Sequence, residues 1–216
     1  MKPRAIISWS GGKDCMLALW QARDAFDIVG LLTTVTRDFD RVSMHGVRVD
    51  LLRRQAERLG LPLHCIEIPS PCTNVVYEER MKDAWQRMKV DRILCGDLFL
   101  EDVRRYRENL FGAEACVFPL WGRSTADLAR TFVGLGFRAA LCCVDTQVLP
   151  ADLAGREFDA TLLAELPVGV DPCGENGEFH TFVHAGPLFT TPLNIVRGER
   201  VLRDDRFSYC DLQLLD

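Results

Sequence analysis

The chain has 216 residues, of which 48% are hydrophobic and 26% are charged. This length is enough for one large domain or two small ones. Its net charge of −5 argues against general nucleic-acid binding, because such proteins usually carry a basic surface. No apolar run approaches the ~18 residues of a membrane span, and the amino terminus lacks the apolar core of a secretory signal, so no membrane partner is expected.

The first part of the chain alternates short apolar runs with longer amphipathic ones. Strands are predicted at residues 5–10, 27–35, 61–68, 91–97 and 115–121. Helices are predicted at residues 14–26, 49–60, 74–90, 101–109 and 124–136. Near-continuous apolar strands separated by helices indicate a parallel sheet covered on both faces. Right-handed crossovers then predict an α/β, Rossmann-like, doubly wound sheet of five parallel strands.

The pattern changes after the apolar run at residues 137–145. Residues 149–167 contain one short helical pattern, residues 168–189 are predicted to be rich in loops, and residues 194–215 are predicted to form strands. We therefore expect a first domain at residues 1–121 and a smaller α+β domain at residues 122–216.

Nine cysteines occur in the chain, and none of them forms a C-x-x-C pair. This spacing argues against a zinc ribbon or a paired-cysteine redox site. Several of the cysteines lie in apolar runs, where cysteine behaves as a small buried hydrophobe. The pattern fits a reducing compartment, and a cytoplasmic location is expected.

The segment SWSGGKDC (8–15) joins the first predicted strand to the first predicted helix. It is either a tight turn with a solvated lysine or an anion site. In an anion site, glycines let backbone N–H groups approach phosphate oxygens, and Lys13 and the helix N-terminus add positive charge. Asp14 would cap the helix or hold Mg²⁺. The segment is not a Walker A loop, because Ile7 and Asp14 occupy places where that loop has Gly and Ser or Thr.

A second polar segment, CGENGEFHTF (173–182), lies in the part of the chain that is predicted to be rich in loops. Its glutamates, Glu175 and Glu178, are either solvated in a polar turn, or they bind Mg²⁺ or orient an amine nucleophile. Spacing alone leaves both interpretations open.

Together the two segments resemble a known family. SGGKDC resembles the SGGxDS loop of the PP-loop ATP pyrophosphatases, the adenine nucleotide α-hydrolase superfamily with an HUP-type fold; its last serine is replaced here by Cys15, whose thiol is a weaker donor. The segment 174–181, followed by PLF (187–189), resembles the G-E-x-G-E-[FY]-x-T motif of diphthine–ammonia ligases. The chain looks closer to the bacterial branch, which has no diphthamide, so the resemblance implies the superfamily chemistry and leaves the acceptor open.

The resemblance implies an ATP- and Mg²⁺-dependent ligase that forms AMP and pyrophosphate. Such an enzyme adenylates an acceptor carboxylate, and ammonia then displaces AMP to form an amide. The residues expected to bind ATP are Ser8, Ser10, Gly11, Gly12, Lys13, Asp14, Cys15, Thr34, His45 and Gly96. The residues expected to be catalytic are Lys13, Asp14, Glu175 and Glu178, and Asp14 is also the expected metal ligand.

The acceptor is expected to lie between the two domains. The residues expected to contact it are Arg104, Trp121, Gly174, Asn176, Gly177, His180 and Thr181. Of the three arginines at positions 104, 105 and 107, contact with an anionic substrate is predicted only for Arg104.

Two other functions fit the same motifs, a non-catalytic ATP or AMP sensor and a PP-loop enzyme that acts on a corrinoid-salvage intermediate or on tRNA. A homodimer is compatible with any of these functions.

Overall fold

The computed structural model of the chain describes residues 1–36, 41–42 and 46–215. Within these residues the amino-terminal half contains the strands β1 (Arg4–Ser8), β2 (Asp27–Thr36), β3 (Arg41–Val42), β4 (Leu63–Ile68), β5 (Arg92–Leu94) and β6 (Cys116–Val117). Its helices are α1 (Lys13–Ala22), α2 (Val49–Leu59), α3 (Asn74–Met88), α4 (Glu101–Phe111) and α5 (Thr125–Gly134).

Five of these strands form a parallel sheet in the order β4-β2-β1-β5-β6 within the described residues. The short strand β3, which the sequence did not predict, pairs antiparallel with the last two residues of β2. The chain leaves β1 toward β2 on one side and enters β5 on the other side. Strand order therefore reverses at β1, and in such sheets ligands bind beside the carboxyl end of the reversing strand. The doubly wound α/β fold is confirmed.

The carboxyl-terminal half forms a separate antiparallel sheet. Its strands are β7 (Arg138–Asp145), β8 (Phe179–Ala185), β9 (Ile195–Arg203) and β10 (Phe207–Leu214), arranged in the order β8-β7-β10-β9, with the short helix α6 (Ala160–Glu165) alongside. The expectation that residues 168–189 are largely loop was wrong for β8. Nearly every side chain of β8 is buried, so the strand shows no alternation of polar and apolar residues.

The two halves share one hydrophobic core. Leu51 and Leu52 of α2 belong to the same buried cluster as Phe179 and Phe182 of β8. A smaller cluster around Met81 and Ile93 covers the other face of the parallel sheet. Burying a large apolar side chain stabilises a fold by about 1.5–3 kcal/mol, so this shared core holds the carboxyl-terminal sheet against the end of β1.

None of the helices within the described residues is both long enough and apolar enough to cross a membrane.

Candidate active site

The segment Ser8–Cys15, which we call the glycine loop, carries the chain from β1 into α1. Gly11 has a φ of +81°, a conformation that glycine adopts without strain. Gly12 is the N-cap of α1, and a Cβ atom there would lie 3.0 Å from the carbonyl oxygen of Thr181. The loop therefore needs both glycines, one for its backbone turn and one because β8 lies directly against it.

The end of β5 approaches the first turn of α1 just as closely. A Cβ atom at Gly96 would lie 2.9 Å from the backbone carbon of Asp14 and from the backbone nitrogen of Cys15. Any side chain at position 96 would push these two segments apart.

Hydrogen bonds fasten the glycine loop to β8. The backbone N–H of Lys13 donates to Oγ1 of Thr181 at 3.1 Å, and the N–H of Val183 donates to the carbonyl oxygen of Gly11 at 2.9 Å. Gln55 of α2 donates from Nε2 to that same Gly11 oxygen at 3.0 Å and to the Val183 oxygen at 2.6 Å. The loop is thus shaped by residues that lie more than 40 positions away in the sequence.

Lys13 connects the two halves through its ammonium group, and its side chain is only 4% exposed. Nζ lies 2.8 Å from Oδ2 of Asp14 and also donates to the carbonyl oxygen of Cys173. The rings of Phe158 and Phe179 lie 5.7 and 5.4 Å from Nζ. Burial is the largest single effect and opposes the charge, but Asp14, Cys173 and Glu175 together outweigh it and hold the pKa of Lys13 above its usual value.

The segment Asp171–Glu178, which we call the acidic loop, is organised by its own carboxylates. Glu178 is buried and accepts hydrogen bonds from the backbone N–H groups of Asp171 and Asn176 and from the Asn176 side chain. Asp171 in turn accepts hydrogen bonds from the N–H groups of Cys173 and Glu175, at 2.8 and 3.3 Å. Glu178 therefore holds the shape of the loop instead of facing a ligand.

Glu175 extends from the acidic loop toward the parallel sheet. Its Oε1 accepts the backbone N–H of Leu98 at 2.8 Å, just after the end of β5. Burial, with smaller contributions from Asp14 and Asp97, raises the pKa of Glu175 to about 7. This carboxyl group can therefore exchange a proton near neutral pH.

The two loops line one cavity of about 560 Å³. That volume lies within the range of about 300–1,000 Å³ that is usual for small-molecule sites. The expected site residues that line it are Ser8, Ser10, Gly12, Lys13, Asp14, Cys15, Thr34, Gly96, Gly174, Glu175, Gly177, His180 and Thr181. The expected residues that do not line it are Gly11, Arg104, Trp121, Asn176 and Glu178, and His45 lies outside the described residues.

The pKa values of Cys15 and His180 are both shifted, mainly by burial. The Cys15 thiol donates to the carbonyl oxygen of Gly12 at 3.1 Å and lies 3.5 Å from Oγ of Ser10, and burial raises its pKa. It therefore supports the glycine loop from within as a thiol. Burial, together with the charge of Lys13, lowers the pKa of His180 to about 4, so this imidazole is neutral at pH 7.

Arg104 and Trp121 contact each other away from the cavity lining. The Arg104 guanidinium lies 4.9 Å from the Trp121 ring and 5.1 Å from the Phe118 ring, and it donates to Glu108 at 2.8 Å. Arg104 therefore contacts Glu108 and two aromatic rings in this structure, and its contact with an anionic substrate stays a prediction.

Several lining residues were missed by the sequence reasoning, namely Thr33, Asn74, Tyr77, Asp97, Tyr106 and Arg107. The position of Asp97 beside Gly96, at the carboxyl end of a strand, is the signal that would have found it.

Thr33 is 3% exposed, and its hydroxyl oxygen has no hydrogen-bond partner within the described part of the chain. Such an orphaned group on a cavity wall fits a polar ligand.

Within the described residues, no group of three or more His, Cys, Asp or Glu side chains is arranged to hold a metal ion. Asp14, the predicted Mg²⁺ ligand, lines the cavity, and its carboxylate is paired with Lys13. Mg²⁺ in nucleotide sites is commonly bound through one or two carboxylates together with the phosphates. The described residues therefore do not supply a complete set of metal ligands. The site fits an Mg²⁺ ion that is bound mainly by the phosphates of a nucleotide and by Asp14.

Two family models match the chain, and between them they cover both loops. Residues 3–112 match the diphthamide synthase N-terminal domain, and residues 124–214 match the diphthamide synthase C-terminal domain. The chain belongs to the diphthamide synthase family. A diphthine–ammonia ligase of Danio rerio is 29% identical, with 92% of this chain and 89% of the relative covered.

Among solved structures, a predicted subunit of tRNA methyltransferase from Methanocaldococcus jannaschii matches 88% of this chain and all of its own, with a TM-score of 0.46 and 14% identity. The glycine loop lies in the residues that match the N-terminal domain of the diphthamide synthase family, and the acidic loop lies in those that match its C-terminal domain.

Proposed function

We propose that the protein is an ATP-dependent amide ligase that forms AMP and pyrophosphate, with the phosphate-binding glycine loop in residues 1–121 and the acidic loop that completes the site in residues 122–216. The observation that carries this proposal is the meeting of the two loops in one cavity. Lys13 of the glycine loop donates to the Cys173 carbonyl of the acidic loop, and Glu175 of the acidic loop accepts from Leu98 beside β5. The zebrafish relative, named a diphthine–ammonia ligase, supports a ligase activity of this kind.

Several residues fit a nucleotide in this cavity. The glycine loop brings the N-terminal end of α1 to the cavity, and the positive end of a helix attracts phosphate. The unpartnered hydroxyl of Thr33 and the side chain of Thr34, both near the end of β2, offer hydrogen bonds to the rest of the ligand. When bound, Mg²⁺ would neutralise phosphate charge, and Asp14 is the residue placed to hold it.

In the first step an oxygen of the acceptor carboxylate attacks the α-phosphorus of ATP. The bond between the α-phosphorus and the α,β-bridging oxygen breaks, and that oxygen leaves with pyrophosphate. Lys13 and the first turn of α1 stabilise the negative charge that builds up on the phosphates, which is the electrostatic contribution that usually dominates phosphoryl and nucleotidyl transfer.

In the second step Glu175 takes a proton from ammonium, and the ammonia that results attacks the carbonyl carbon of the acyl-adenylate. The bond from that carbon to the adenylate oxygen breaks, AMP leaves, and a further proton is lost to give the amide. Glu175 suits this role because a pKa of about 7 leaves much of it ionised at neutral pH and able to accept a proton. The neutral His180 is a weaker base, and Glu178 acts through the loop that it organises.

The products of ATP test the proposal. The protein is incubated with [α-³²P]ATP, Mg²⁺ and ammonium, and with either a diphthine-bearing protein or a deproteinised small-molecule extract as the source of acceptor. We expect labelled AMP, matched one-to-one by pyrophosphate. Labelled ADP with phosphate would contradict adenylation, and calorimetric ATP binding without turnover on any acceptor would favour the sensor alternative. Turnover on tRNA or on a corrinoid acid would keep the chemistry and change the acceptor.

A further inference from the structure

The cavity extends beyond the two loops toward α3 and α4, where Tyr77, Met81, Leu100, Tyr106 and Arg107 line it. We propose that Arg107, held in place by Asp97, binds the carboxylate of the acceptor, and that the carbon skeleton of the acceptor packs against Tyr77 and Tyr106. This inference rests on the proposed function, because it assigns the acceptor of that same reaction to the part of the cavity lined by these residues, which we call the acceptor arm or simply the arm.

Arg107 is oriented before any ligand arrives. Its Nε and Nη2 atoms donate to the two carboxylate oxygens of Asp97 at 2.8 and 3.3 Å, and the two side chains are 22% and 14% exposed. Within the described part of the chain, no hydrogen-bond partner is seen for Nη1. A guanidinium fixed on one edge by a carboxylate and left with a donor on another edge is suited to bind a second carboxylate.

The two tyrosines form one wall of this arm. Their ring centroids are 6.5 Å apart with an interplanar angle of 35°, which is the spacing of rings in mutual contact. A third ring therefore cannot enter between Tyr77 and Tyr106, and a ligand packs on the outer surface of the pair. Met81 and Leu100 extend the apolar surface.

The charges of the arm restrict the class of acceptor. Arg107 and Asp97 neutralise each other, and Glu175 adds a carboxylate to the same cavity. A second anionic group on the acceptor would meet repulsion from Glu175, and Arg107 is already shared between Asp97 and the first carboxylate. The arm therefore fits a monocarboxylate with an apolar or aromatic skeleton better than a dicarboxylate.

The inference is tested with butyrate and 3-phenylpropionate as probes in saturation-transfer NMR, in the presence of α,β-methylene-ATP. We expect both acids to bind the wild-type protein, and their carboxamides and succinate to bind at least 10-fold more weakly. Arg107→Gln should weaken binding of the acids on the order of 10- to 100-fold, the scale of hydrogen bonds to charged groups. Arg105→Gln removes an exposed arginine of the same helix and should leave binding unchanged.

A second variant covers the case in which Arg107→Gln fails to fold because Asp97 is left unpaired. The double variant Asp97→Asn/Arg107→Gln removes both charges and should also lose binding of the acids. ATP affinity, measured separately by calorimetry, should stay within about 3-fold of wild type in both. If a folded Arg107 variant still binds the acids as tightly as the wild type, the acceptor assignment is overturned. If the wild-type protein does not bind ATP at all, the proposed function itself is overturned.

Discussion

Glu175 and Glu178 are three residues apart in the acidic loop and have different surroundings. Glu178 is buried and accepts hydrogen bonds from its own loop, whereas Glu175 accepts the N–H of Leu98, just after β5, and lines the cavity. Gly174 and Gly177, with φ values of +68° and +91°, directly precede the two glutamates and turn the backbone there. A loop with two left-handed glycines has no regular periodicity, so the direction of each side chain cannot be predicted from its spacing. The sequence motif therefore indicated both glutamates as functional but could not distinguish their roles.

The first prediction concerns Glu175→Gln. The substitution removes the proposed base, so turnover should fall by ~10²-fold or more, the usual scale for a lost acid–base group, while ATP affinity changes little. In the wild type the rate should rise with pH and level off above about 7, because the base works only when ionised. The variant should lose this rise. A pH–rate profile that is unchanged in the variant would contradict the role of Glu175.

Unfolding experiments separate Glu175 from Glu178. The pKa of Glu175 is raised on folding, so its contribution to stability falls as the pH rises from about 4 to about 7. Glu175→Gln should therefore not lower the Tm at pH 8. Glu178→Gln should lower it, since a buried acceptor of three hydrogen bonds is replaced by an amide that cannot accept them all.

Lys13→Met is the second prediction. ATP affinity should weaken by about 1–3 kcal/mol because a cation beside the phosphates is lost. The Tm should also fall, because Asp14 and the Cys173 carbonyl lose their partner. Adding Asp14→Asn should restore part of the Tm and none of the ATP affinity. Lys82→Met, which removes an exposed lysine of α3, is the control, and equal effects of the two lysine variants would refute the assignment.

Arg104 and Arg107 illustrate the limit of prediction from a helical pattern. They are three residues apart and so lie on neighbouring parts of one helix surface. Arg107 lines the cavity, whereas Arg104 stacks on Phe118 and Trp121. The aromatic residues that decide this lie beyond the end of the helix, and no spacing within residues 101–109 reveals them.

At the scale of elements, β8 acts as the support of the glycine loop. Thr181 accepts the Lys13 N–H, which belongs to the first turn of α1, and Val183 donates to Gly11. The parallel strands were predicted because each is an apolar run between helices. β8 was missed because its polar residues are also buried, and the strand is recognisable only from its pairing with β7.

The third prediction tests this support. Thr181→Val keeps the shape of the side chain and removes the acceptor of the Lys13 N–H, so unfolding should become easier by about 1–3 kcal/mol. Thr181→Ser keeps the hydroxyl and should stay within about 1 kcal/mol of wild type. Chemical denaturation measures both variants. Equal stabilities of the Val and Ser variants would show that the hydrogen bond does not hold the loop.

At the scale of the whole molecule, Asp211 of β10 links the carboxyl-terminal sheet to the segment between β2 and α2. Its carboxylate accepts hydrogen bonds from Arg41 at 2.8 Å and from Arg48 at 2.9 and 2.7 Å. Arg48 holds the pKa of Asp211 well below its usual range, against the effect of burial. Neither arginine was predicted to matter, since the contact joins residues more than 160 positions apart.

The fourth prediction follows from this ion-pair network. Asp211→Asn should destabilise the protein on the order of 1–2 kcal/mol at pH 7, since the pairs are partly exposed. A lowered pKa gives stability that is present above the unfolded value of about 3.9 and is lost as the pH falls below it. The gap in Tm between variant and wild type should therefore begin to close near pH 4 and narrow further as the pH falls. Asp83→Asn, in an exposed pair of α3, should have no measurable effect at any pH.

The central claim is that the glycine loop and the acidic loop together form one ATP site. Amide hydrogen exchange with and without Mg²⁺-ATP tests this claim directly, since it needs no acceptor and reads both halves at once. We expect slower exchange in residues 8–22 and in residues 171–181 at the same ATP concentration, with no change in the edge strand 195–203. Protection confined to residues 8–22, or absent from both segments, would contradict the account.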